Sequence, residues 1–139
     1  MSSASSTAAQ TGTAIEATFF GPITIEHLVR YAKASGDFNL IHTDLKAARE
    51  VGLPGIIAHG MLSAGLLAER ATQFMKPWQT GWKLHSFQTR FKGMVFLDDT
   101  VGFSGQVKSS DETSLRLDLV AKNQRGETVT TATVVYQKI

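Results

Sequence analysis

Ile56-Ile57-Ala58-His59-Gly60-Met61-Leu62-Ser63-Ala64-Gly65-Leu66-Leu67-Ala68-Glu69-Arg70-Ala71-Thr72-Gln73-Phe74 is the stretch that decides the fold. Its apolar residues fall on every face of a helix, small residues fill the gaps, and few charges precede Glu69-Arg70. A helix that is apolar all round is expected to be buried on all sides. Something must wrap it, and the second half of the chain has the pattern to do so. Trp82 to Phe91 reads as a strand leading to a loop at Gly93. Thr100 to Val107 alternates, with Val101, Phe103, Gly105 and Val107 on one face. Leu115, Leu117 and Leu119 alternate with Arg116 and Asp118, and Glu127 to Gln137 is rich in Thr and Val. Polar turns at Ser109-Ser110-Asp111-Glu112 and Asn123-Gln124-Arg125-Gly126 separate these runs, the signature of antiparallel strands. With a short first strand, Ala14 to Phe20, the expectation is an α+β fold in which an antiparallel sheet wraps one central helix.

Between the first strand and that helix lies a more polar region. Gly21-Pro22 ends the strand. Thr24 can cap a helix whose apolar positions Ile25, Leu28, Val29 and Ala32 share one face. Ser35-Gly36 closes it, because glycine readily takes the left-handed conformation of a helix end, so Asp37 falls on the loop just beyond. A second short helix is expected from Leu45 to Val51, capped by Asp44 or Thr43 and stopped by Gly52. Leu53-Pro54-Gly55 then forms a turn.

A chain of 139 residues is long enough for one core. Residues 14–139 are expected to form the domain, and the Ser-, Thr- and Ala-rich residues 1–13 a disordered tail without the features of a secretory signal. The formal net charge is only +2, with Lys and Arg scattered, so no nucleic-acid partner is expected. No apolar run approaches the roughly 18 residues of a membrane span. The absence of cysteine excludes disulfides, a thiolate nucleophile and Cys-based metal sites, and fits a cytoplasmic protein.

The candidate chemistry lies in two clusters. Asp37 and His42 offer a carboxylate and an imidazole from one loop, groups that can hold a water and move protons. Gly60, at the start of the apolar helix, can aim a bare N–H at developing negative charge. Taken alone, Asp37 could be only a turn former and Gly60 only a close-packing residue.

Together the clusters are more specific. Tyr31-Ala32-x-x-Ser35-Gly36-Asp37-x-Asn39-x-Ile41-His42-x-Asp44, followed by Gly52-x-Pro54-Gly55-x-Ile57-Ala58-His59-Gly60-Met61-Leu62, resembles the hydratase 2 motif of the MaoC-like family. That family comprises (R)-specific enoyl-thioester hydratases and 3-hydroxyacyl-thioester dehydratases. The resemblance implies a hot-dog fold, a substrate thioester of coenzyme A or acyl carrier protein, and a homodimer or dimer of dimers. It implies Asp37 as general base, His42 as its partner on the attacking water, and the Gly60 N–H as oxyanion donor. Asn39, His59 and Ser63 are expected to support the site. The reaction needs no cofactor. No metal is expected, since Asp37, His42, Asp44 and His59 match no common zinc spacing.

The sequence departs from the family at two places. Leu40 stands where a proline usually follows the Asn, and Arg90-Phe91-Lys92-Gly93-Met94-Val95-Phe96-Leu97-Asp98-Asp99 replaces Arg-Phe-x-x-Pro-Val-x-Pro-Gly-Asp. Two other functions stay open at this point. One is a hot-dog thioesterase using Glu69, the only acid in the apolar helix. The other is one subunit of a hetero-oligomeric dehydratase.

Overall fold

Helix α1, Ile25–Ser35, is fixed at both ends by its own sequence. The Thr24 hydroxyl accepts from the His27 N–H at 3.2 Å, and His27 Nδ1 accepts from the Thr24 N–H at 3.0 Å. These two bonds satisfy donors that the first turn would otherwise leave bare. Gly36, at φ 79°, closes the far end by donating to the Ala32 carbonyl. The computed structural model describes residues 9–139.

Among the described residues, five antiparallel strands form one sheet: β1 Ala14–Phe20, β2 Trp82–Phe91, β3 Val101–Ser110, β4 Ser114–Asn123 and β5 Thr128–Lys138. Their order is β1-β3-β4-β5-β2, which leaves β1 and β2 at the edges. Pairings such as Phe103 with Ala121, and Leu117 with Val134, stack the inward residues of successive strands into one layer. Val101, Phe103, Val107, Leu115, Leu117, Leu119 and Val134 are all buried there. Helix α3, Gly60–Met75, lies across this layer against β2, β3, β4 and β5. This is the expected α+β architecture of a sheet curled about a central helix.

The helix itself differs from its expected burial. Ser63, Ala64, Leu67, Ala71 and Met75 are buried, but Met61 is 57% exposed and Gly65 is exposed too. A single sheet covers one side of a helix, so this chain alone leaves the other side open. The helix also starts later than the apolar run. Ile56 to Ala58 is extended, with the Ala58 N–H donating to the Val95 carbonyl and the Leu97 N–H to the Ile56 carbonyl. Pro54-Gly55 and the β-branched pair Ile56-Ile57 favour that extended course. Helix α2, Leu45–Glu50, is capped by Asp44, whose carboxylate accepts from the Lys46 N–H.

Of the expected tail, residues 1–8 lie outside the described residues. Residues 9–13 form a turn against β3, where the Gly12 N–H donates to the Val107 carbonyl and the Val107 N–H to that of Thr13. Ala9 is buried. Among the described residues no helix is long and apolar enough to cross a membrane.

Candidate active site

The loop after α1 is built from side chains that bond to nearby main chain. The Ser35 hydroxyl accepts from the Asp37 N–H, Asp37 Oδ1 from the Asn39 N–H, and Asn39 Oδ1 from the Ile41 N–H. Short polar side chains form such turns readily because their oxygens reach an amide two residues on. Asn39 thereby caps a single 3₁₀ turn, Leu40–His42, that carries the imidazole. Leu40, in the place of the family's proline, begins that turn and is largely exposed. Asn39 does the orienting from one position earlier.

His42 is 7% exposed, whereas the Asp37 side chain is half open to solvent. His42 Nδ1 lies 2.7 Å from the Ile57 carbonyl, which only accepts, so Nδ1 carries the proton. In the neutral ring Nε2 is then a bare lone pair, 3.9 Å from Asp37 Oδ2. Asp37 Oδ1 is occupied by the Asn39 N–H, which leaves Oδ2 for a ligand. A water about 2.8 Å from both acceptors would see them roughly 90° apart, near the angle between its own two protons. Both of its O–H bonds would point at acceptors, and an oxygen lone pair would be left free.

His59 ties the second cluster to the first. Its ring stacks on His42, with centroids 3.8 Å apart and planes 24° from parallel, and meets Tyr31 of α1 edge-on. His59 Nε2 donates to the Asp37 carbonyl at 3.1 Å. Burial lowers its pKa below the ordinary histidine value, partly opposed by that hydrogen bond. His59 occupies the N-cap position of α3 but caps nothing with its side chain. Gly60 follows as the first helical residue, where the N–H has no partner within the helix. A Cβ on Gly60 would sit 3.0 Å from the Phe91 ring, so close packing by β2 explains the glycine. Ser63, one turn on, is buried in the helix.

Asp37, His42 and His59 present ligand atoms within 4.8 Å of one another. The two rings lie nearly parallel, however, so their in-plane lone pairs run side by side and do not converge on one ion. His42 Nδ1 and His59 Nε2 are already committed to carbonyls. The arrangement suits proton handling better than metal coordination. Asp44 is occupied as the cap of α2, and Glu69 is exposed on α3. An apolar hollow of about 510 Å³ opens beside Leu45, Pro54, Ile56 and Phe96, but neither Asp37 nor His42 lines it. Sequence reasoning missed the Ile57 carbonyl and the Tyr31–His59–His42 stack. The first follows from the extended Ile56–Ala58 course. The second had a signal only in Tyr31, four residues before the end of α1.

A family model described as a MaoC like domain matches residues 6–135. The chain is 37% identical over 81 residues to 3-hydroxyacyl-thioester dehydratase X of Mycobacterium tuberculosis, covering 58% of this chain and 26% of that protein. It is 30% identical over 94 residues to a fatty acid synthase beta subunit of Cochliobolus carbonum, covering 68% of this chain and 4% of that one. The chain thus spans only a small part of these curated relatives. Among solved structures, an (R)-hydratase from A. caviae involved in PHA biosynthesis superposes with a TM-score of 0.81 at 25% identity, over 92% of this chain and 96% of that one. The ChsH1-ChsH2 complex from Mycobacterium tuberculosis also gives 0.81, at 24% identity over 93% and 98% of the two chains. That second likeness bears on the fold alone.

Proposed function

Because this chain belongs to the MaoC-like domain family, we propose that it interconverts trans-2-enoyl thioesters and (R)-3-hydroxyacyl thioesters. The observation that carries this reading is the pair of free acceptors, Asp37 Oδ2 and His42 Nε2, held 3.9 Å apart beside the first turn of α3. In hydration, the water held between them attacks C3 of the enoyl group. Its O–C3 bond forms as the C2=C3 π pair moves toward C1, leaving an enolate with charge on the thioester oxygen. Asp37 takes the proton lost by the water, with His42 orienting the water and sharing that proton. The Gly60 N–H receives the enolate oxygen, and loss of such a donor typically costs about 10²–10³ in rate. The proton then passes to C2 on the same face, completing the addition of one water. Dehydration is the same sequence reversed.

Asn39, His59 and Ser63 support this site without exchanging protons with substrate. The thioester is carried by coenzyme A or acyl carrier protein, and the cysteine-free composition supports a cytoplasmic setting. The assembly is a homodimer or dimer of dimers. Supporting it are the free edge of β2 and the exposed apolar side chains Phe38, Leu40, Met61, Phe91 and Met94 around the site segment. The same exposure supports a second reading, in which a different hot-dog chain covers this face. Activity of the pure protein that appears only on adding that chain distinguishes the two.

The test is steady-state hydration of crotonyl-CoA and longer enoyl-CoAs, with product chirality, for wild type, Asp37→Asn and His42→Ala. Wild type is expected to form the (R)-alcohol and both variants to lose most turnover. Near-wild-type rates in the variants would remove the assigned roles. Release of free CoA without loss of the enoyl absorbance would favour a thioesterase instead.

A further inference from the structure

We propose that His59 is a positioning residue: an imidazole that clamps the Asp37 main chain with Nε2–H and holds the His42 ring in place by stacking. This rests on the hydratase reading for its kinetic consequences, but the clamp itself rests on geometry alone.

His59 is 2% exposed, so its two nitrogens must be accounted for within the protein. Nε2 faces the Asp37 carbonyl at 3.1 Å and must donate, because a carbonyl cannot. Nδ1 is buried without any hydrogen-bond partner among the described residues. A proton on Nδ1 would leave a buried cationic donor with nothing to receive it, a costly arrangement. In the neutral tautomer the same atom is only an unused acceptor. The titratable groups facing the ring are Tyr31 from α1, Asp37 from the loop and His42 from the 3₁₀ turn. Burial of the ring disfavours a positive charge there, and the Asp37 carbonyl and carboxylate offset this only in part.

The consequence is a division of labour between two adjacent histidines. His42 has its free lone pair at the water and can accept a proton. His59 has its only proton on a main-chain carbonyl and its free lone pair sealed. A proton leaving the water therefore stays with Asp37 and His42. His59 also spans the two pieces of chain that must meet, the loop after α1 and the start of α3. It thereby fixes Asp37 relative to Gly60, the next residue along. The sealed Nδ1 is an unmet acceptor kept for this arrangement.

Two measurements test the clamp. In the wild-type protein, long-range ¹H–¹⁵N spectra of the histidine rings are expected to show the neutral His59 ring with its proton on Nε2, and to show His59 taking up a second proton only below the ordinary histidine range. An ordinary titration of His59 near 6.5 in the folded protein, or a neutral ring with its proton on Nδ1, would overturn the proposal. The second uses His59→Phe, which keeps an aromatic ring of similar shape and loses the donor, and His59→Gln, which can keep a donor near Nε2. His59→Phe is expected to move the His42 ring signals and to lower kcat by about 10²-fold, the scale of an ångström-level misplacement, with KM little changed. His59→Gln is expected to recover part of that loss. A folded His59→Phe variant with unmoved His42 signals and wild-type kcat would also overturn it. Loss of turnover in Asp37→Asn tests the hydratase reading separately. Should the wild type hydrate no enoyl thioester, the ring states of His59 and His42 still decide the clamp.

Discussion

The inner layer of the sheet and the segment from Asp37 to Gly60 are held together in different ways. In the sheet, Leu115 and Leu117 are fully buried, and β4 is hydrogen-bonded along its length to β3 and β5. In the segment, a chain of side-chain-to-main-chain bonds runs through Ser35, Asp37, Asn39 and Asp44. Phe38, Leu40, Leu45 and Val51 lie largely in the open there. Apolar burial dominates the stability of a domain, whereas a neutral hydrogen bond contributes only about 1 kcal/mol net. The sheet therefore supplies most of the stability, and the segment supplies geometry. Damage to the two should separate cleanly.

The largest effect falls on the segment. Asp37→Asn keeps Oδ1 to accept from the Asn39 N–H, so the loop should survive, but the base is gone. The expected loss in kcat is about 10²–10⁴-fold, with thermal melting unchanged. A parallel fall in melting temperature would break the separation. The converse variant is Leu117→Ala, at a fully buried position opposite Val134. It should cost about 2–5 kcal/mol in denaturant unfolding, with kcat per folded molecule unchanged.

The same contrast explains what could be read from the sequence. The sheet was legible because alternation along Leu115, Leu117 and Leu119 has one explanation, a strand with one buried face. The ends of α1 were legible because Thr24 and Gly36 do chemistry that few other residues do. Asp37, His42 and Gly60 stood out through a spaced pattern, and the structure brings the two clusters together through His59. The stack of His59 on His42 was not legible, since it joins residues 17 apart through a fold-level crossing that no local period encodes. Nor was the open face of α3. Its composition reports that both sides are apolar, not whether one chain can cover both.

A smaller effect links the regions through pH. Burial depresses the pKa of His59 in the folded protein below its ordinary 6.5. Above pH 6.5 both folded and unfolded chains hold it neutral, and its contribution to stability is fully present. As pH falls below 6.5 the unfolded chain binds the proton first. Stability is then lost by up to about 1.4 kcal/mol per pH unit until the folded pKa is passed. Denaturant midpoints between pH 7 and 5 should fall in wild type, and the slope should be shallower in His59→Phe. An unchanged slope would mean that His59 is not held neutral.

The smallest effect probes the joint between the two regions. Val95 to Leu97 pairs with Ile56 to Ala58, and Asp98 follows at φ 71° with its N–H on the Ile23 carbonyl. An aspartate tolerates this left-handed conformation better than most residues but still less well than glycine, and glycine is what the family usually carries there. Asp98→Gly should relieve that strain while adding unfolded-chain entropy, for a net gain of about 0.5 kcal/mol. That corresponds to a rise of about 2 °C in Tm. Since the substitution leaves Asp37, His42 and His59 untouched, kcat should stay the same. A fall in kcat with the rise in Tm would mean that the segment depends on the strained geometry of the loop between β2 and β3, so the two regions would be coupled through Ile57 and Phe96 rather than independent.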